Sequence, residues 1–521
     1  MTHENKAASM TKEEVVALLK SHEELALRVA WFERQLFGTK SERRIMDDPG
    51  RQLTLGEIGR TGVSEPPEIE IPAHRRRRKK PLSETDQSLR FDPSVPVEEI
   101  IIENKEIKNS EDYTVVDEKV TCRLAQRPGS YVVLRYVRKV YKRKDDATFS
   151  CAPAPPAVFE KSYADVSFLA GLLIDKFIYH LPLYRQHQRL EAAGVHLARS
   201  TLTNLVHRTA LLLEPIYDAQ LGSILASKVL ALDETPIKAG HKKRPPPQRG
   251  KMKTGYFWPL YGDRDEIAFS FAETRGKIVV ENLLKDYSGV LLTDGYEVYE
   301  RYVEKINGIV HALCWVHTRR YFDKAESMDP KRAGEALAKI ALLYEIEAAI
   351  KPRGFSPEKV LAKRTELAKP IVDDFFEWLR ETLNTEILLP SNPFTEAARY
   401  ALAREDGLRV FLEYPDVQLD TNHLERAIRV IAMGRKNYLF CWTEIGAKYV
   451  GIIQSLLSTC RVQGIDPYTY LVDVLQRIDT HPAREVELLT PRMWKERFAG
   501  DPRRSDIDRI PARNAIQFTT P

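Results

Sequence analysis

Twice in this chain a short, unbroken apolar run stops on an aspartate. Val229-Leu230-Ala231-Leu232 leads into Asp233-Glu234, with Pro236 close behind, and Gly289-Val290-Leu291-Leu292-Thr293 leads into Asp294 and the turn-former Gly295. Runs of this length without polar alternation fit strands buried on both faces, which constrains the chain to an α/β core whose sheet is covered by helices. Taken singly, either aspartate reads equally well as a strand end or a turn cap. Two such strands side by side would bring the carboxylates together, and like charges raise each other's proton affinity unless a cation neutralises them. Magnesium is the expected cation, with manganese as the alternative, because hard ions take carboxylate and water oxygens whereas histidine or thiolate would favour zinc.

A third carboxylate stands in the helical pattern Asp420 to Ile431. Leu424, Ile428 and Ile431 recur at i, i+4 and i+7 and form a buried stripe, while Asn422, Glu425 and Arg429 fall on another face. Glu425 can therefore point from a docked helix toward the two aspartates. Arg429 shares its face and is either its partner in a surface ion pair or a two-pronged clamp for a phosphate at the site. Arg426, and Arg435 and Lys436 just past Gly434, read here as the helix end, are further candidates for phosphate contact.

With these residues in hand, the chain resembles the bacterial insertion-sequence transposases of the type named after insertion sequence sixty-six, which carry an Asp-Asp-Glu nuclease domain. The matching segments occur in the family's order: Leu232-Asp233-Glu234-Thr235-Pro236, Asp294-Gly295-Tyr296, Cys314 to Phe322, Asn422 to Arg426, and Gly434-Arg435-Lys436-Asn437. Leu36 to Glu42, His180 to Gln186 and Asp466-Pro467 with Tyr470-Leu471 extend the likeness over nearly the whole chain. The resemblance implies that Asp233, Asp294 and Glu425 hold two magnesium ions. It implies double-stranded DNA as partner, both element ends and target, with cleavage at the ends and strand transfer by the freed 3′-hydroxyl. A homodimer or higher assembly on DNA, accessory proteins from the same element, and a cytoplasmic, nucleoid-associated location in a bacterium follow in the same way. A structure-directed nuclease that cuts without joining and a transposase-derived DNA-binding protein without catalysis are the alternatives; the complete carboxylate set argues against the second.

At 521 residues the chain is too long for one ordinary domain. Its net charge of only +5 means that the placement of charge, not its total, has to identify a nucleic-acid binder. Five scattered cysteines suggest no disulfide framework, and no apolar run is long enough for a membrane span, so a soluble protein is expected.

Residues 1–45 carry a helix, over 11–37, with Val15, Leu18, Leu25, Val29, Phe32 and Leu36 at a and d positions, fit for a coiled coil or for packing within its own chain. Residues 46–96 are a Gly- and Pro-broken linker containing Arg75-Arg76-Arg77-Arg78-Lys79-Lys80, six cations suited to DNA phosphates. Residues 97–152 read as a small β-rich module; relatives hold a zinc-binding cysteine cluster here, but Cys122 and Cys151 alone cannot complete a four-ligand site, so zinc is not expected. Residues 153–226 are helical, either a DNA-groove reader presenting Arg199, Asn204, His207 and Arg208 or a subdomain packed on the sheet.

The core's first part, 227–330, shows a strand over 228–234, strands near 255–261 and 266–272, a helix over 275–286, and the strand ending at Asp294, the order of a ribonuclease-H-like sheet. A loop from Lys238 to Lys253, including Lys242, Lys243, Arg244, Arg249, Lys251 and Lys253, offers a second grip on the DNA backbone. Cys314 and His317 have metal-ligand spacing but make only half a site, and packing beside Trp315 is the expected role. A helical insertion over 331–410 precedes the second part of the core, 411–480, and the tail 481–521 is expected to be disordered after 499.

Overall fold

The computed structural model describes residues 89–509, apart from 93–94, 105–112, 128–129, 145–147, 161, 242–251, 286, 307 and 386–391. The N-terminal helix, the cationic run Arg75–Lys80 and the loop cations Lys242, Lys243, Arg244, Arg249 and Lys251 lie outside the described residues.

β1 (Arg90–Phe91) pairs with a short strand described below, and β2 (Val97–Ile102), β3 (Tyr113–Arg127), β4 (Ser130–Arg143) and β5 (Phe149–Cys151) form a four-stranded sheet of order β2-β4-β3 with β5 also on β4. This is the β-rich module the β-branched runs predict. β6 (Val195–His196) closes against β1, between helices Leu183–Ala192 and Arg199–Leu225.

The central sheet contains β7 (Val229–Leu232), β8 (Thr235–His241), β9 (Met252–Gly262), β10 (Glu266–Ala272), β11 (Gly289–Thr293) and β12 (Ile309–Leu313), in the order β10-β9-β7-β11-β12 with β8 on β9. β7, β11 and β12 are mutually parallel, and β9 is antiparallel to β7 and β10. Leu230, Leu232, Leu260, Ile267 and Leu291 are fully buried, as their apolar runs require.

An unpaired strand edge needs cover, and β10 receives it from two helices. The Phe269 amide donates to Ser455 Oγ at 2.7 Å and the Ile267 amide to Thr459 Oγ1 at 3.0 Å, both from helix Glu444–Val462, while Gln220 Nε2 of helix Arg199–Leu225 donates to the Ile267 carbonyl at 2.6 Å. Gly451 makes this approach possible, since a Cβ there would sit 2.4 Å from the Phe269 carbonyl oxygen. Helix Arg199–Leu225 is thus a support of the sheet. Of its four polar candidates, Arg199 lies over Tyr184, His207 against Tyr449 and Arg208 over Phe159; Asn204 is exposed.

Between β12 and the helix that carries Glu425, the chain forms helices Trp315–Ala325, Pro330–Ile350, Pro357–Lys363, Lys369–Thr385, Pro393–Leu402 and Glu405–Arg409. Arg364, 3% exposed, ties this insertion back to the core. Its Nε and Nη2 donate to Glu347 at 2.7 and 2.8 Å, and its remaining N–H groups reach the carbonyls of Phe411, Tyr414 and Val417. All of its nitrogens are used, so a buried guanidinium fixes the segment that leads into the Glu425 helix.

Three expectations are corrected. The loop expected from Lys238 to Lys253 does not begin at Lys238, which belongs to β8: Ile237 and Ala239 are buried in alternation with the exposed Pro236 and Lys238, the period of a half-covered strand. Lys238 accordingly stands on a strand and donates to Thr254 Oγ1 at 2.6 Å. Residues 500–509 are ordered, since the Arg503 amide donates to the buried Asp473 carboxylate, Ser505 Oγ donates to Asp165, and Ile507, 1% exposed, packs with Val132, Leu134 and Tyr136. Gly434 does not end its helix, which runs from Asn422 to Tyr438; a Cβ at Gly434 would meet the Tyr438 ring at 2.5 Å, so the glycine makes room for that ring.

Candidate active site

β7 and β11 are registered with Ala231 opposite Leu292, so Asp233 and Asp294 each stand two residues past that pair, at the same end of adjacent parallel strands. Each carboxylate is folded onto its own turn: Asp233 Oδ1 accepts from the Glu234 amide at 2.7 Å and Asp294 Oδ1 from the Tyr296 amide at 2.9 Å. Gly295 supplies the left-handed φ of 84° that the second turn needs. Burial pushes the Asp233 carboxyl up to about 7, with the Asp294 carboxylate adding to the rise and Glu234 and Glu425 contributing less. The arginines of this neighbourhood go elsewhere: Arg275 to Glu234, Arg320 to Glu425 and Arg404 to Glu300. Among the described residues neither aspartate has an ion-pair partner.

The third carboxylate comes from a helix that the rest of the core holds in place. Asp420 accepts from the Asn422 amide at 2.9 Å, the Trp315 amide donates to the Leu419 carbonyl at 2.8 Å, and Leu424 and Ile431 are fully buried. Glu425 is half-buried and lies within electrostatic reach of Asp233. Both of its oxygens accept from Arg320 Nη2, at 2.7 and 3.0 Å, and Arg320 Nη1 donates to His317 Nε2 at 3.0 Å. His317 feels both Asp294 and Glu425, but burial dominates and pulls its pKa down. With Nε2 as acceptor the ring proton sits on Nδ1, which is buried without a partner.

Sequence reasoning missed this His317–Arg320–Glu425 chain. The i+3 spacing of His317 and Arg320 was available as a sign that they share a face, but nothing local marked Glu425, 105 positions away, as their partner. It also passed over Glu234, whose carboxylate is almost buried, accepts from Arg275 Nε at 2.7 Å and from the Tyr299 hydroxyl, and is held up in pKa by burial. Arg275 in turn lies 3.9 Å from the Tyr296 ring centroid, so this cluster braces the two aspartate turns from behind.

The predicted cations are dispersed. Arg429 is exposed and is not the partner of Glu425, which removes the surface-pair reading of that residue. Arg426 Nε donates to the Asn422 carbonyl at 3.2 Å, Arg435 reaches the Pro236 carbonyl beside the Asp233 turn, and Lys436 is exposed. Lys253 is paired with Glu273 and Glu444. Cys314 is a packing residue: its buried sulfur accepts from the Thr421 amide at 3.4 Å and Trp315 beside it is fully buried. Among the described residues no three His, Cys, Asp or Glu side chains stand together closely enough to hold a metal ion, and Glu425 is engaged by Arg320. The oxygen-only donors and the half-buried Asp233–Asp294 pair, which has no ion-pair partner among the described residues, nonetheless fit a hard divalent ion.

The class this chain falls into is the DNA transposases. Residues 161–449 match the family model described as Transposase IS66 family, 455–491 the IS66 C-terminal element, and 24–100 the model described as Transposase C of IS166 homeodomain. The chain belongs to the IS66 transposase family. It is similar to two uncharacterized proteins of Sinorhizobium fredii, y4hP at 33% identity over 73% of this chain and 72% of the relative, and y4jD at 28% identity over 91% and 94%. A solved structure titled Drosophila P element transposase strand transfer complex aligns with 60% of this chain and 94% of its own at 12% identity and a TM-score of 0.32. Among the described residues no helix is long and apolar enough to cross a membrane.

Proposed function

We propose that Asp233, Asp294 and Glu425 are the metal-binding catalytic carboxylates of this transposase, set on a ribonuclease-H-like core interrupted by a helical insertion. The observation that carries the reading is the half-buried Asp233–Asp294 pair at the ends of adjacent parallel strands, with Asp233 raised to about 7 and no ion-pair partner for either among the described residues. Two divalent ions bound there, magnesium or manganese, supply positive charge to the attacking and leaving oxygens of an in-line displacement. The chain's own residues do the rest: the strand-end turns hold two carboxylates fixed, Glu425 closes the set from its helix, and Arg429 binds the scissile phosphate.

The substrate is double-stranded DNA, cut at the element's ends and joined to a target by the 3′-hydroxyl. Arg75 to Lys80 and the loop cations Lys242, Lys243, Arg244, Arg249 and Lys251 bind its backbone, as do Lys253, Arg426, Arg435 and Lys436. The N-terminal helix pairs two copies as a coiled coil on DNA, accessory proteins of the same element assist, and the protein works on the bacterial nucleoid in the cytoplasm. The test is strand transfer in vitro with purified protein, the element's own DNA ends and magnesium. Joined products are expected; cleavage without joining would make the protein a nuclease, and end binding with neither would make it a non-catalytic derivative.

A further inference from the structure

The residue in closest contact with the third carboxylate is a cation outside the expected set. Arg320 is half-exposed, and its Nη2 spans both Glu425 oxygens while its Nη1 rests on His317 Nε2. Its helix, Trp315–Ala325, is anchored by the fully buried Trp315 and Phe322, so the guanidinium is presented from a fixed support. A guanidinium is always charged. Whatever takes Glu425 away must therefore leave Arg320 with a new anion or with water.

Arg320 Nη2 spans both Glu425 oxygens, so a divalent ion taken up by that carboxylate would compete with the guanidinium for it. The site thus holds two alternative charge arrangements. In one, Arg320 neutralises Glu425, and the two aspartates stand without an ion-pair partner among the described residues. In the other, Glu425 would join the aspartates in holding the ion, leaving Arg320 Nη2 free of the carboxylate while Nη1 stays on His317. DNA, the substrate under the proposed function, brings a phosphate oxyanion to the site, and this is the partner a planar guanidinium binds most strongly.

We propose that Arg320 is a phosphate-binding residue of the transposition site, held by Glu425 in the resting protein and released to the DNA backbone when Glu425 turns to the divalent metal. The pairing couples metal loading to DNA grip, so that either strengthens the other. His317 positions Arg320 in both arrangements by accepting from Nη1. The proposal rests on the metal-carboxylate reading of the site.

The test separates the two. Binding of Mn2+ to the full chain without DNA is followed by the loss of the free-ion electron paramagnetic resonance signal. Removing the competing cation in Arg320→Ala is expected to tighten Mn2+ binding roughly two- to fivefold, the scale of a partly exposed ion pair. Binding of a short random duplex is then measured against salt, with and without Ca2+, which takes the same oxygen ligands. With Ca2+ the wild type is expected to show a log K against log salt slope steeper by about 0.9 than Arg320→Ala, the equivalent of one neutralised phosphate, with no difference in its absence. Arg320→Lys, which keeps a phosphate-binding charge, is expected to restore the slope. Unchanged Mn2+ affinity in Arg320→Ala, or equal slopes with Ca2+, would overturn the role of Arg320. Wild-type Mn2+ binding by Asp233→Asn would instead remove the metal-carboxylate reading and this proposal with it.

Discussion

The two strand-borne aspartates and the helix-borne glutamate reach the same end of the sheet under opposite conditions. Asp233 and Asp294 are set by parallel β7 and β11, are folded onto their own turns, and have no cationic partner among the described residues. Glu425 projects from a helix and is neutralised by Arg320. Strand ends give carboxylates fixed positions at the cost of crowding charge, whereas a side chain on a helix face keeps the freedom to change partners. The difference teaches that the sheet sets the two aspartates directly, whereas the place of Glu425 depends on how its helix docks.

The sharpest way to break this comparison is to remove each carboxylate in turn. Asp233→Ala, Asp294→Ala and Glu425→Ala are each expected to lower DNA cleavage and joining by about 10³-fold or more while leaving DNA binding intact, the scale on which charge stabilisation at a reacting oxygen acts. Normal turnover by any one variant in a gel-based cleavage assay would take that residue out of the site.

Asp233→Asn tests the burial of this carboxyl together with its crowding by Asp294. The folded carboxyl, at about 7, lies above its ordinary value of 3.8, so between these limits the native state holds more protons than the unfolded chain. Stability from this group is therefore present at low pH and falls as the pH rises from about 4 to about 7. Without metal, Asp233→Asn is expected to be more stable than the wild type at pH 8 by up to ~4 kcal/mol, with the gap closing toward pH 4. Denaturant unfolding at the two pH values checks this, and a pH-independent difference would mean the aspartate is not held above its ordinary value. Added magnesium should stabilise the wild type alone, by about 2.7 kcal/mol at a hundred times its dissociation constant.

Binding should separate from chemistry. Neutralising Arg75 to Lys80 is expected to weaken binding to all duplexes alike and to flatten the salt dependence by about 0.9 for each phosphate that no longer meets a cation. Unchanged binding to random DNA, read by fluorescence anisotropy, would make that run solvated surface. The smallest effect belongs to Arg429→Lys, which keeps charge and loses the fork. About a tenfold drop in cleavage rate with unchanged stability is expected of a phosphate clamp; near-native cleavage would leave the Glu425 side of the site to Arg320 alone.

Much of this was legible in the residues. The runs ending at Asp233 and Asp294 announce buried strands because three or four consecutive apolar side chains need cover on both faces. Leu424 and Ile431 announce the buried face of the Glu425 helix for the equivalent helical reason. Composition and turn chemistry misled where long-range packing decides: Lys238 belongs to β8 rather than to a loop because β9 is there to pair with it, and residues 500–509 are ordered because Asp473 and Asp165 wait for Arg503 and Ser505.

The sequence by itself determined which residues could carry charge to a strand end and on which helix face Glu425 would lie, because those are properties of neighbours along the chain. Only the tertiary structure decided that Arg320 rather than Arg429 holds Glu425, that Glu234 is engaged by Arg275 and Tyr299, and that Gly434 yields its space to Tyr438 instead of ending a helix. The physical reason is that ion-pair choice depends on distance through space, and a contact between residues a hundred positions apart leaves no periodic trace in either segment.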